Sequence, residues 1–383
     1  MTPVSVDRVR SDLIALLHRT TDVREFTLGA ARIIGRHVPF DGVCMLTLDP
    51  ATSLPTGAVS ENALPAHEHP RLAQIEIGAG DVNAFAQLIR SGRVAAGLDE
   101  ATGGVLDRSV RHRELRAPRG FGDELRAALV SEDVPWGGLT LLRGADRGPF
   151  TPADSALVAA LSPHLAEGVR RAILLTALSV PDRLDDGDAG LVLIAPDDTL
   201  LMQNAAAAAW LADLSQQPPG DGLPHVVAAV AARVRGEDGE RSLARARVRT
   251  ASGAWAVVRG SALGGNGDAP TAVTIEPARV HDLAPLIVDA YALTERERAV
   301  TQLVARGLST TAIAERLHIS PWTVQDHLKA IFEKVGVSKR GELVARIFFD
   351  HYAPRLSGPA PLSANGWFAP GHRPMSSASP PGL

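Results

Sequence analysis

The sequence predicts a multidomain chain, two α+β domains followed by an all-α domain of four short helices. Three observations carry this. Up to residue 279 short apolar strands mix with amphipathic helices. From residue 291 only short, sharply capped helical stretches remain. Between and after these regions lie stretches dominated by Pro, Gly, Ser and Asp. A chain of 383 residues is long enough to bury a core in each part.

The first domain is placed at residues 5–178. Over 7–37, Leu13, Leu16, Leu17, Phe26, Ala30 and Ile33 recur at helical spacings. GVCMLTLD then reads as a strand and PATSLPTG as a turn. Residues 65–134 give a mixed signal, with charged helical pieces such as DVNAFAQLIR between Gly-rich joints. PWGGLTLLR resumes strand character, and a long capped helix is expected from about 152 to 178.

VPDRLDDGDAG reads as a linker into a second domain at 186–279. There GLVLIAPDDTLLMQN reads as two strands joined by an Asp-Asp turn. AAAAAWLADL and LPHVVAAVAARVRG read as helices, RSLARARVRT to AWAVVRGS as a hairpin, and APTAVTIEPA as a last strand. No repeat of fixed period joins the two domains.

The helical domain is placed at 290–353. Thr294 and Glu297 form a capping box, Gly307 stops that helix, Ser309 opens TTAIAERL, and Ser320-Pro321 opens the third helix. The joint between the second and third is only HIS, which is helix-turn-helix arithmetic. In the third helix Val324, Leu328, Ile331 and Val335 form one stripe, leaving Trp322, Asp326, Lys329 and Glu333 opposite. A fourth helix, ELVARIFFDHY, turns Leu343 and Ile347 to the core and spreads Phe348, Phe349 and Tyr352 over its other sides. A surface that apolar marks a dimer contact. Residues 291–355 hold ten Lys/Arg against seven Asp/Glu, a local charge of +3 in a chain of −4, so the basic part is where a phosphate backbone is met. The tail at 356–383 has the composition of a disordered segment.

Composition sets further bounds. The hydrophobic share is 45%, the charged share 21% and the mean hydropathy +0.04, ordinary values for a globular chain. No apolar run reaches the roughly 18 residues that span a bilayer, and the N-terminus lacks a signal-peptide core, so no membrane role and a cytoplasmic location are expected. The single cysteine, Cys44, excludes an intramolecular disulfide and reads as a buried thiol with nothing nearby basic enough to lower its pKa. His67 and His69 form an H-x-H pair without a third ligand, so no metal is expected. No nucleophile elbow, phosphate loop or zinc-protease pattern points to an enzyme.

With these residues in view, LTERERAVTQLVARGLSTTAIAERLHISPWTVQDHLKAIFEKVGVSKR resembles the LuxR/FixJ-type helix-turn-helix domain along its whole length. Leu293-Thr294, Arg296-Glu297, Gly307-Leu308-Ser309, Ile313-Ala314, Leu317, Ser320, Thr323-Val324, His327, Lys334 and Arg340 match in register. The resemblance implies binding of double-stranded DNA as a homodimer, with the third helix in the major groove and the fourth at the dimer contact. It places base reading on Gln325, Asp326 and Lys329, and phosphate contacts on Thr323, Lys334 and Arg340. The family commonly has Lys where Gln325 stands, Glu at Ala312 and Ser at Lys339. The upstream domains resemble a GAF domain followed by a PAS domain, which implies a sensory module responsive to a small-molecule ligand or a partner, the alternative being dimerisation scaffolds without a ligand; the cofactor is left open. The chain is thus expected to be a DNA-binding transcriptional regulator and not an enzyme. The alternative is a signalling protein or enzyme that uses the helical domain only for oligomerisation.

Overall fold

The computed structural model describes residues 6–20, 22–178, 188–215, 222–236, 244–264, 269–278, 282, 291, 293–305 and 307–344. The chain divides into two compact units, 1–295 and 296–383.

The first unit opens with helices α1 (Val6–Arg19) and α2 (Val23–Gly35). The single helical pattern read from the sequence breaks at Asp22, whose carboxylate accepts the Arg24 and Glu25 N–H groups and caps α2. Strands β1 (Gly42–Leu48), β2 (Pro55–Glu61), β3 (Ala95–Gly97), β4 (Phe121–Ser131) and β5 (Val134–Gly144) form one antiparallel sheet in the order β2-β1-β5-β4-β3. Three short helices lie in the long β2–β4 connection: α3 (His69–Ala73), α4 (Phe85–Ser91) and α5 (Leu98–Thr102). Helix α6 (Pro152–Leu178) packs across β3, β4 and β5 and is itself covered by α1 and α2. Trp136, Leu139, Leu141, Leu125, Val158, Leu161 and Leu165 are wholly buried.

Two expectations are corrected here. The stretch read as a turn, PATSLPTG, turns only as far as Leu54; its Pro55–Gly57 end already belongs to β2, paired with β1. Strand β4, the longest in the sheet with β5, runs through the segment that gave no clear strand pattern.

The second sheet is built from β6 (Gly190–Ile194), β7 (Leu200–Gln203), β8 (Arg245–Arg249), β9 (Trp255–Ala262) and β10 (Thr271–Pro277), all antiparallel, in the order β7-β6-β10-β9-β8. This is the strand order of the first sheet with every number raised by five. Asn204 caps α7 (Ala205–Leu214) by accepting the Ala207 N–H, and α8 (His225–Arg235) follows. Helix α8 is apolar nearly all round, and Val226 to Val234 are all buried. Such a helix needs two apolar neighbours. It lies on β9 and β10 on one side and against α3 and β2 on the other. Leu54 and Ala73 of the first sheet's domain therefore join one apolar cluster with the core of the second. The sequence suggested separate cores; these two domains share part of theirs.

The second unit contains α9 (Glu295–Ala305), α10 (Thr310–Leu317) and α11 (Pro321–Val335). Backbone at 340–344 is again helical. Val300, Val304, Ile313, Ala314, Val324, Leu328, Ile331, Val335 and Leu343 are buried.

Candidate nucleic-acid interface

The joint between α10 and α11 depends on His318. Its φ of 54° is left-handed, and its N–H donates back to Glu315 while the Ile319 N–H donates to Ala314 (3.0 Å). The chain reverses there within three residues, and Ser320 restarts a helix at once. The Ser320 Oγ accepts the Thr323 N–H at 3.0 Å and lies 2.8 Å from the Thr323 hydroxyl. Ser309 caps α10 in the same way, accepting the Ala312 N–H at 3.2 Å.

With Val324, Leu328, Ile331 and Val335 packed inward, the opposite face of α11 is wet. Trp322 is 75% exposed, and Gln325, Asp326, Lys329 and Glu333 are exposed on the same side. The Gln325 amide leans toward α10, donating to the Thr310 hydroxyl at 3.5 Å. Thr323 is half-buried at the helix start. Four residues assigned to DNA contact thus share one end or one face of α11.

The other two sit differently. Lys334 donates to the Glu297 carboxylate at 2.9 Å, joining α11 to α9. The Arg340 guanidinium donates to the Leu308 carbonyl and holds the loop between α9 and α10. Both side chains brace the helices that present α11. Just before the last helical turn, the Ser338 N–H donates to the Glu342 carboxylate at 2.8 Å. Phe348, Phe349 and Tyr352 lie outside the described residues.

The first unit holds a group of buried, paired charges. Glu124 on β4 accepts from Arg111 at 2.7 and 2.9 Å and from Arg116 at 3.2 Å. Burial opposes its charge, but Arg111, Arg116 and Arg126 outweigh that and hold its pKa well below the carboxylate range. Arg126 donates to Glu76 (2.8 Å) and stacks on the Phe85 ring at 3.7 Å. These partners come from four separate segments, and no sequence spacing announces them.

Burial pushes the Cys44 thiol up to about 11, so it stays protonated at neutral pH. Arg116 and Arg126 both favour the thiolate, but desolvation outweighs them, in line with the expectation that nothing nearby is basic enough to lower this pKa. His69 meets the His225 ring edge-on at 4.9 Å, one histidine from each upstream domain. Among the described residues no group of three or more His, Cys, Asp or Glu is placed to hold a metal. No described helix is long and apolar enough to cross a membrane.

Residues 291–347 match the profile of the bacterial regulatory proteins, luxR family, so the helical unit carries a luxR-type helix-turn-helix domain. Over 52 residues the chain is 50% identical to a putative HTH-type transcriptional regulator of Mycobacterium bovis, covering 14% of this chain and 6% of that protein. It is 45% identical over 56 residues to the transcriptional regulatory protein UhpA of Escherichia coli, covering 15% of this chain and 29% of that one. The chain therefore spans less than a third of the length of these relatives. Among solved structures it is similar to the GAF domain of a phosphoenolpyruvate-protein phosphotransferase from Coxiella burnetii, at 10% identity and a TM-score of 0.33 over 45% of this chain and 97% of that one. A GAF domain/HD domain protein from Geobacter sulfurreducens gives 23% identity and a TM-score of 0.31 over 41% and 98%.

Proposed function

We propose that this protein is a DNA-binding transcriptional regulator, in which the two upstream α+β domains, GAF-like and then PAS-like, sense a small-molecule signal and the luxR-type domain binds double-stranded DNA as a homodimer. The observation that carries the reading is the exposed face of α11. Trp322, Gln325, Asp326 and Lys329 stand clear of the core on a helix fixed by a three-residue joint. A solvated face alone does not place a tryptophan at 75% exposure beside an amide, a carboxylate and an ammonium. In this reading Gln325, Asp326 and Lys329 read base edges. Thr323 contacts phosphate directly, and Lys334 and Arg340 do so while bracing α9 and α10. Phe348, Phe349 and Tyr352 form the dimer contact.

The test is a mobility shift of the full chain on genomic fragments across a salt series. Binding that falls by orders of magnitude between about 50 and 200 mM salt supports the reading. Absence of any retarded complex at low salt assigns the helical domain to oligomerisation alone.

A further inference from the structure

Between the two upstream domains lies a cavity of about 300 Å³, within the size range of small-molecule sites. One wall is the first domain: the start of α2, the end of β1, residues 56–59 of β2, and Ile173 of α6. The other is the β8–β9 hairpin of the second, with Arg247, Arg249 and Trp255. Leu48, Val59, Val23, Ile173 and the Trp255 ring make the lining chiefly apolar.

The polar groups are unequally satisfied. Thr47 and Thr56 hydroxyls hydrogen-bond each other at 2.8 Å, and the Thr250 hydroxyl has Ser252 and the Ala254 carbonyl. Asp49 is taken up by Arg247, and Asp22 by the α2 N-terminus. The Trp255 Nε1–H, on a residue 5% exposed, has no acceptor among the described residues, and neither has the Arg249 Nε–H. What the cavity lacks is acceptors, not donors. Three arginines line it (24, 247 and 249) against two aspartates.

A second cavity, beneath α8 and of about 460 Å³, presents a weaker case. Its Arg126 is already spread over Glu76, the Asn83 carbonyl and the Phe85 ring.

We infer that the junction cavity is a binding site for a small, largely apolar carboxylate, its body against Trp255 and Val59 and its carboxylate accepting from Trp255 Nε1 and the Arg249 guanidinium. The inference rests on the reading of these domains as sensory and names where the signal enters. Arg247, in the cavity wall, also donates to the Asp282 carbonyl at 3.3 Å, on the segment that leads in sequence to the helical domain. An occupant that bears on Arg247 bears on Asp282.

The experiment is isothermal titration calorimetry of the full chain, without DNA, using benzoate and indole-3-acetate and, as neutral matches, benzamide and indole-3-acetamide. Expected is saturable binding of at least one acid, at least tenfold tighter than its amide. Trp255→Phe and Arg249→Met should each weaken it at least tenfold. Val59→Phe, which fills the cavity from the other wall, keeps the test open if Trp255→Phe does not fold. The inference is overturned if neither acid binds up to about 1 mM, or if the variants bind as the parent does. Because no DNA is present, a failure here is separable from a failed mobility shift.

Discussion

Arg247 and Asp49 form a two-pronged ion pair across the seam between the upstream domains, Nη2 to Oδ1 at 2.5 Å and Nε to Oδ2 at 2.8 Å. The Arg247 backbone N–H donates to the same carboxylate at 2.9 Å. Both side chains are almost fully buried. Removing one partner strands the other charge in a dry site. Asp49→Ala is expected to destabilise the upstream unit by about 3–5 kcal/mol, read by urea unfolding. Asp49→Leu combined with Arg247→Met should recover most of that loss, because two apolar side chains need no partner. A double variant as unstable as the single one would show that the pair is not the source.

The His69–His225 contact makes the same seam sensitive to acid. Burial, then His69, lowers the His225 pKa from 6.5 to about 3, and burial lowers that of His69 too. The folded form thus binds fewer protons than the unfolded chain between these values. Its stabilising contribution is complete above pH 6.5 and is lost as pH falls from there toward about 3. The slope for His225 is at most about 1.4 kcal/mol per pH unit. His225→Phe should flatten the difference between unfolding curves at pH 7.5 and pH 5.5, conditions chosen on either side of an ordinary histidine. An unchanged difference would locate the sensitivity elsewhere.

Gly168 sits inside α6 against the Phe26 ring, where an added Cβ would overlap the ring's Cζ. Helix propensity alone favours alanine there by roughly 1 kcal/mol. The contact reverses that sign: Gly168→Ala is expected to lose about 1–3 kcal/mol by overpacking. Restoring stability with Gly168→Ala plus Phe26→Leu would confirm the cause, and a stabilised single variant would refute it.

On α11, Asp326→Ala and Lys334→Ala should separate two kinds of residue. Asp326 is an exposed carboxylate on a face assigned to DNA, where phosphates repel it. Its removal should raise affinity for random DNA while flattening preference at one base pair by about 1–3 kcal/mol, seen by competition over all four bases. Lys334→Ala should lower both DNA affinity and the melting temperature, since its ion pair to Glu297, which joins α11 to α9, is lost. If Asp326→Ala alters no base preference, that side chain reads nothing.

How much of this the sequence disclosed depends on where side chains report their surroundings. The helical unit was legible because each joint is written in a residue with a local role: Ser309 and Ser320 as caps, Gly307 and His318 in left-handed turns. Strand β4 was not, because Asp123, Glu124 and Arg126 stand in it and are buried by partners far away in sequence. Charge there looked like a wet surface. The shared strand order of the two sheets was equally hidden. It belongs to backbone pairing, and Cys44 and Met45 of β1 have no counterpart in the Gly190–Ile194 strand. Of the residues proposed to face DNA, the pattern of α11 located the face; that Lys334 and Arg340 are bound within the domain could not be read before the fold was known.

The pairing of β1 with β5 carries a cost in time. Val43 lies beside Leu141, about a hundred residues further along the chain. At roughly 5–20 residues per second, a ribosome leaves β1 without that neighbour for on the order of 5–20 s. The second sheet repeats the delay, since β6 must await β10. Twice during synthesis an apolar strand emerges long before the second of its two partners exists. Chaperone occupancy on the nascent chain should therefore rise twice, once after each of these strands leaves the exit tunnel.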